Sequence, residues 1–283
     1  MTDLNIVALG DLASSVSTGF GQYPQYKIYS IVVGNNNDND SVRHISFENS
    51  VEEYERNTPN FGAFFSDIRG EVLVVCTGSE AISGSSLRII EQLKGEKVSC
   101  MFLRSERGLL TETEFLQERV AFNVLQQYAR SGMIERMFLV DIPLIDDISG
   151  DVSIMEYSTK QAEIIASTYH MVQVFMNSVP VMGHVTAPQV PNRISTIGIT
   201  SIDDKEDKMF FSIDKPSEKY YLYAINKGML NSDKHLLGKI RAQVRSRSDG
   251  AAEVKFGIFP TEYEDNFVFC LFNTKQIQGE EKS

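Results

Sequence analysis

Apolar residues along this chain recur in two rhythms. One is a short continuous run rich in β-branched side chains; the other is a longer stretch in which apolar positions return every three or four residues. Residues 71–94 hold both. Glu71-Val72-Leu73-Val74-Val75-Cys76 reads as a strand buried on both faces, residues 77–86 form a loop of small residues, and Leu87, Ile89, Ile90 and Leu93 then fall at helical spacing. Further strand-like runs occupy residues 4–10, 26–33, 42–47, 98–103 and 137–142, the last stopped by Pro143. Between them, Ser50-Val51-Glu52-Glu53 opens a helix that breaks near Pro59 and resumes over residues 61–69. Thr111-Glu112-Thr113-Glu114 opens a long helix that closes at Ser131-Gly132.

The longest helical stretch is predicted over residues 158–176, with Ile164, Ile165, Thr168, Val172 and Phe175 on its apolar face. Residues 179–202 are then loop-rich. Residues 209–213, 220–225, 253–259 and 266–272 are strand-like, and residues 232–247 read as one helix between them. Alternation of strand and helix in the first half predicts an α/β fold, a mainly parallel sheet with helices on both faces. The expected organisation is an α/β domain over 1–155, a central helix over 156–178, a smaller α+β domain over 179–275 and a flexible tail over 276–283.

Composition narrows the function classes. The chain has 283 residues, enough for two lobes, and 38 Asp and Glu against 27 Lys and Arg give a net charge of −11. That balance argues against a dedicated nucleic-acid binder and against a protein of anionic membrane surfaces. No apolar run is long enough to cross a bilayer, and the first residues lack the basic start of a signal peptide, so a cytoplasmic location is expected. Cys76, Cys100 and Cys270 are odd in number and widely spaced, which predicts buried free thiols. His44, His170, His184 and His235 are equally scattered, and HExxH, paired CxxC and nucleophile-elbow motifs are absent. Neither a metal site nor a catalytic residue is therefore assigned.

Two loops are candidates for binding an anion. The first follows strand 4–10 and holds Asp11, Ser14 and Ser15, where an α/β nucleotide fold places its first ligand loop. The second, residues 77–86, holds Gly78, Ser79, Ser83 and Gly84, whose small size lets backbone approach a phosphate at a helix start. The alternative for both is an ordinary strand-to-helix connection capped by serines. The basic stretch 239–247 reads as the solvated face of a helix, with contact to nucleic acid or an acidic neighbour as the alternative.

The order of elements is similar to the tubulin/FtsZ superfamily, at low identity over nearly the whole chain. Residues 71–94 resemble its strand, glycine-rich phosphate loop and helix; 98–146 its strand, long helix and strand, with 142–146 where an acidic loop often stands. Residues 156–176 resemble its core helix, and 221–272 its second lobe. The family's GGGTG[ST]G motif would fall on residues 78–84, which keep Gly78, Ser83 and Gly84 but carry Glu80, a charge that costs phosphate affinity. The resemblance implies that Tyr157 and Gln161 stack on and read guanine; a core-packing tyrosine and a surface glutamine are the alternative.

The segment after the central helix, residues 183–192, lacks the family's catalytic carboxylates, and Gln189 or Asn192 would orient a water only weakly. The resemblance therefore implies either no cofactor or GTP/GDP with Mg²⁺, with absent or slow hydrolysis. It implies self-association into a head-to-tail homo-oligomer or filament, or binding to another protein, in the host cytoplasm if the chain is phage-encoded. Nucleic acid and membrane insertion are not expected. Two alternatives stand beside it: an active GTPase forming dynamic filaments for DNA or virion positioning, as plasmid and phage members do, and a small-molecule enzyme on an unrelated nucleotide-binding α/β fold.

Overall fold

The computed structural model of the chain describes residues 4–248 and 250–279. The chain divides into two compact units between Ser167 and Thr168. In the first unit, β1 (Leu4–Leu9), β2 (Tyr26–Val33), β3 (Val42–Ile45), β4 (Glu71–Thr77), β5 (Lys97–Arg104) and β6 (Met137–Asp141) pair in the order β3-β2-β1-β4-β5-β6. Every pairing in that series is parallel. All of β1 and nearly all of β4 are buried, as expected of strands covered on both faces. Parallel neighbours require crossovers, which α1 (Asp11–Ser17), α2 (Val51–Asn57), α3 (Ser86–Gln92) and α4 (Glu112–Ser131) provide.

Local chemistry sets the ends of these helices. Thr111 and Glu114 form a reciprocal capping box at the start of α4, and Gly132 ends it in the left-handed conformation at φ 86°. Pro143 stops β6 as predicted, yet it also begins α5 (Ile142–Ser149), since proline in a first helical turn forfeits no hydrogen bond. The helix expected over residues 61–69 is not formed. Phe61, Phe64, Phe65 and Ile68 are buried at helical spacing, but turns carry them; Tyr29 meets Phe64 edge-on at 5.3 Å. Pro59, Gly62 and Gly70 crowd this segment too closely for helical turns to propagate.

Helix α6 (Tyr157–Met176) runs across the division between the units. The second unit continues with β7 (Met182–His184), β8 (Ile194–Thr200), β9 (Glu218–Asn226), α7 (Lys227–Ser232), α8 (Leu236–Arg247), β10 (Glu253–Thr261) and β11 (Phe267–Thr274). Its strand order is β8-β11-β9-β10-β7, with β9 and β10 parallel and the other pairings antiparallel. The strand expected over 209–213 is irregular apart from one bridge between Met209 and Gly198, while β8 takes the place beside β11. The helix expected over 232–247 forms as α8 but starts only at Leu236; a short helix that was not expected, α7, precedes it, and between them the Asp233 carboxylate accepts the His235 amide at 2.8 Å. Gln278 is buried and accepts the Asp214 amide at 2.6 Å; residues 280–283 lie outside the described residues. Among the described residues no helix is long and apolar enough to cross a membrane.

One buried carboxylate ties the irregular part of the second unit to its sheet. Glu218, at the start of β9, accepts from Lys255 Nζ at 2.9 Å, Asn192 Nδ2 at 2.7 Å, Tyr220 OH at 3.0 Å and the Gln189 amide at 3.2 Å. Burial alone would push its carboxyl up, but the bonds from Lys255, Asn192 and Tyr220 and the Lys255 charge together hold it below the ordinary value. Residues 189–192 are therefore anchored by hydrogen bonds to a carboxylate that is itself ion-paired and has almost no solvent contact. Lys255→Met, which strands the carboxylate, should lower the unfolding free energy by about 3–5 kcal/mol in urea titrations. Because the folded carboxyl lies below its unfolded value of about 4.3, the stabilisation is complete above that pH and is lost as pH falls through the folded value. Glu218→Gln should remove that part of the acid dependence.

Candidate functional site

Loops that follow the strands of a parallel sheet gather at its carboxyl edge, and the predicted site residues all lie on such segments of the first unit. Asp11, Ser14 and Ser15 sit on α1 after β1; Gly78 and Ser79 follow β4; Ser83 and Gly84 lie in the tight turn Ala81–Ser85; Tyr157 and Gln161 begin α6. Their side chains and amides are engaged in three groups.

The first group is closed by Glu80. Gly10 turns the chain at φ 93° into α1, leaving the Asp11 and Leu12 amides at the helix start without intrahelical acceptors. Glu80 Oε2 accepts the Asp11 amide at 2.8 Å and Oε1 accepts the Leu12 amide at 2.9 Å. Burial pushes the Glu80 carboxyl up and Asp11 adds to this, while the two amide bonds oppose it. The anion at this helix start thus belongs to the chain itself. Ser14 donates its amide to the Gly10 carbonyl at 3.0 Å, and its hydroxyl oxygen is buried without a partner. The Ser15 carbonyl accepts the Thr18 hydroxyl at 2.7 Å.

In the second group the loop glycines face helices. A Cβ on Gly78 would lie 2.5 Å from Glu118 Cα on α4, and one on Gly84 would lie 2.0 Å from the Val51 carbonyl oxygen on α2. Both glycines permit close backbone packing. Ser79 Oγ lies 2.8 Å from Ser105 Oγ and 3.0 Å from Thr77 Oγ1, and the Ser105 amide donates to Glu118 Oε2 at 3.0 Å. Glu118 is buried, which raises its carboxyl against the lowering effect of the Ser105 amide and Arg104. Ser83 is also buried, its hydroxyl 3.4 Å from the Gly78 carbonyl.

Asp146 holds the third group. It accepts the Tyr157 hydroxyl at 2.7 Å and the Gln161 side-chain amide at 2.6 Å. Gln161 is buried rather than a surface glutamine. Burial first, then the bond to Asp146, pushes the Tyr157 hydroxyl up to about 12. In the second unit, Gln189 and Asn192 both turn to Glu218.

The polar groups gathered in the first unit are thus three carboxylates, Glu80, Glu118 and Asp146, each occupied by amides or hydroxyls of the same chain. Arg104, whose charge acts on Glu118, stands 4.0 Å from Asp141. Sequence reasoning identified Glu80 only as a charge that costs affinity, and gave no sign of Asp146 or Glu118 as acceptors. Their partners lie up to 69 residues away along the chain. If Gly84 serves packing, Gly84→Ala should lower stability by about 1–3 kcal/mol in urea titrations; unchanged stability would mean that the close approach to Val51 is not needed.

No family model matches the chain, and no curated protein matches it. Solved structures do. The GTPγS-form protofilament of TubZ from Bacillus thuringiensis serovar israelensis is 12% identical, with a TM-score of 0.69 over 96% of this chain and 86% of that one. The FtsZ dimer of M. jannaschii is 12% identical, with a TM-score of 0.67 over 98% and 89%. CetZ2 from Haloferax volcanii, a GTPγS-bound protofilament, is 10% identical, with a TM-score of 0.68 over 96% and 92%. At these identities the likeness is one of architecture: the chain has a fold like that of TubZ, FtsZ and CetZ2.

Proposed function

We propose that this chain is a self-associating structural protein whose assembly does not depend on binding or hydrolysing GTP. The Glu80 carboxylate on the Asp11 and Leu12 amides is the observation that carries this reading. A phosphate arriving at the first loop has to displace two charge-assisted hydrogen bonds, each worth about 1.5–3 kcal/mol, and then share the space with the displaced carboxylate. Gly78 and Gly84 are filled by helix contacts, and Tyr157 and Gln161 are held by Asp146, so the donor set fits a magnesium nucleotide poorly. The turning of Gln189 and Asn192 onto Glu218 adds a second reason to expect no hydrolysis. Self-association is supported by the relatives that were solved as protofilaments and filaments.

The second reading is a GTPase forming dynamic filaments, favoured by the GTPγS forms of TubZ and CetZ2. It requires Glu80 to swing away from α1. The small-molecule-enzyme reading needs an unrelated fold and is set aside. Equilibrium binding of fluorescent GTP and GDP with Mg²⁺, with light scattering in the same sample, separates the two. The expected result is nucleotide affinity no tighter than about 1 mM and scattering that does not respond to nucleotide. Saturable binding with phosphate release would establish the GTPase instead.

A further inference from the structure

Helix α4 carries more apolar side chains than its core packing uses. Phe122, Leu125 and Ala129 are buried, and Phe122 meets Phe102 of β5 at 5.5 Å. A second apolar row, Leu116, Val120 and Val124, recurs every fourth residue on another face of the helix. Leu116 is 53% exposed and Val120 62% exposed. The row lines a groove of about 570 Å³ within the first unit, together with Val51 on α2 and Leu87 on α3. Small-molecule sites typically enclose about 300–1,000 Å³ and are mostly apolar, with a few placed polar groups.

Two hydroxyls supply such groups. Ser83 is buried and reaches the Gly78 carbonyl only at 3.4 Å. Ser86 is 5% exposed, lines the groove and has no hydrogen-bond partner among the described residues. Unlike the hydroxyls of Ser14 and Ser17, its oxygen is not sealed inside the protein, so the groove is where it opens. A hydroxyl so placed can donate to an acceptor bound there.

Charge narrows the choice of ligand. The groove is lined by two carboxylates, Glu52 and Glu55, and by no Lys, Arg or His. Glu55 is paired with Arg88 at 3.4 Å. Glu52 has no ion-pair partner among the described residues; Arg56, one turn on, acts on its charge without pairing with it. Such a lining disfavours phosphates and carboxylates and suits a cation at the mouth.

We propose that this groove binds a small cationic amphiphile. Its apolar body lies against Leu87, Leu116 and Val120, a neutral acceptor takes the Ser86 hydroxyl, and an ammonium stands at Glu52. The site is independent of the self-association reading and of the loops weighed for nucleotide above, apart from sharing Ser83 and Gly84 with the second loop. A small ligand is favoured over a second copy because Ser83 and Ser86 are nearly buried, within reach of a narrow molecule but not of a protein surface.

The test is fluorescence titration of the full chain with dansylcadaverine, which joins an apolar fluorophore and a sulfonyl acceptor to a terminal ammonium. Dansylglycine, with a carboxylate in place of the ammonium, is the comparison. Dansylcadaverine should saturate with a Kd on the order of 10 µM, the affinity of a ligand of its size at ordinary efficiency, and dansylglycine should bind at least about threefold more weakly. Val120→Trp, at a half-exposed position and checked for folding by circular dichroism, should fill the groove and weaken binding at least about tenfold. Ser86→Ala should weaken both probes alike, by about threefold to tenfold. Glu52→Gln should bring the two probes closer in affinity. Absence of saturable dansylcadaverine binding overturns the proposal, as does binding that neither Val120→Trp nor Ser86→Ala changes. Equal or tighter binding of dansylglycine overturns the cationic assignment. Displacement of the probe by GTP with Mg²⁺ overturns the proposal by moving the probe to a nucleotide site. Probe release that follows assembly as protein concentration rises, measured by sedimentation, overturns it in favour of a second copy.

Discussion

Burying β1, β4 and β5 on both faces is the constraint from which the first unit follows. A strand with no solvated face must be covered twice, and parallel neighbours must be joined by crossovers, so the turns after the strands collect along one edge. Those turns begin helices, and helix starts bring unpaired amides. What the chain places against those amides then decides what else can bind there. In this protein Glu80 is placed against the amides that start α1, while Glu118 takes the amide of the loop residue Ser105 and Asp146 takes the side chains of Tyr157 and Gln161 on the first turns of α6.

Much of this architecture was legible in the sequence because its signals are local. The continuous apolar run of β4, the capping box and glycine stop of α4, and the apolar face of α6 each lie within one element. Reading failed where spacing and neighbours disagreed. Phe61, Phe64, Phe65 and Ile68 have helical spacing, but the crowding of Pro59, Gly62 and Gly70 turns that spacing into a chain of turns that still buries the same side chains. Residues 209–213 resemble a strand because Phe210 and Phe211 are buried, yet β8 provides the edge that pairs with β11.

The site was legible in position more than in purpose. The small residues after β4 lie where a ligand loop belongs, but a glycine required by a neighbouring helix and a glycine required by a phosphate look alike in a sequence. Gly78 is matched to α4 and Gly84 to α2, and both contacts depend on residues more than thirty positions away in the chain or on a different helix. A carboxylate's partner is equally invisible when it is supplied by a distant turn.

A ligand that is part of the polypeptide behaves unlike one that arrives from solution. Glu80 is tethered beside the Asp11 and Leu12 amides, so its effective concentration is fixed by geometry, on the order of millimolar or above for even a flexible tether, and cannot be diluted, depleted or replenished. While Glu80 holds the Asp11 and Leu12 amides, occupancy of that helix start does not follow the concentration of anything in solution.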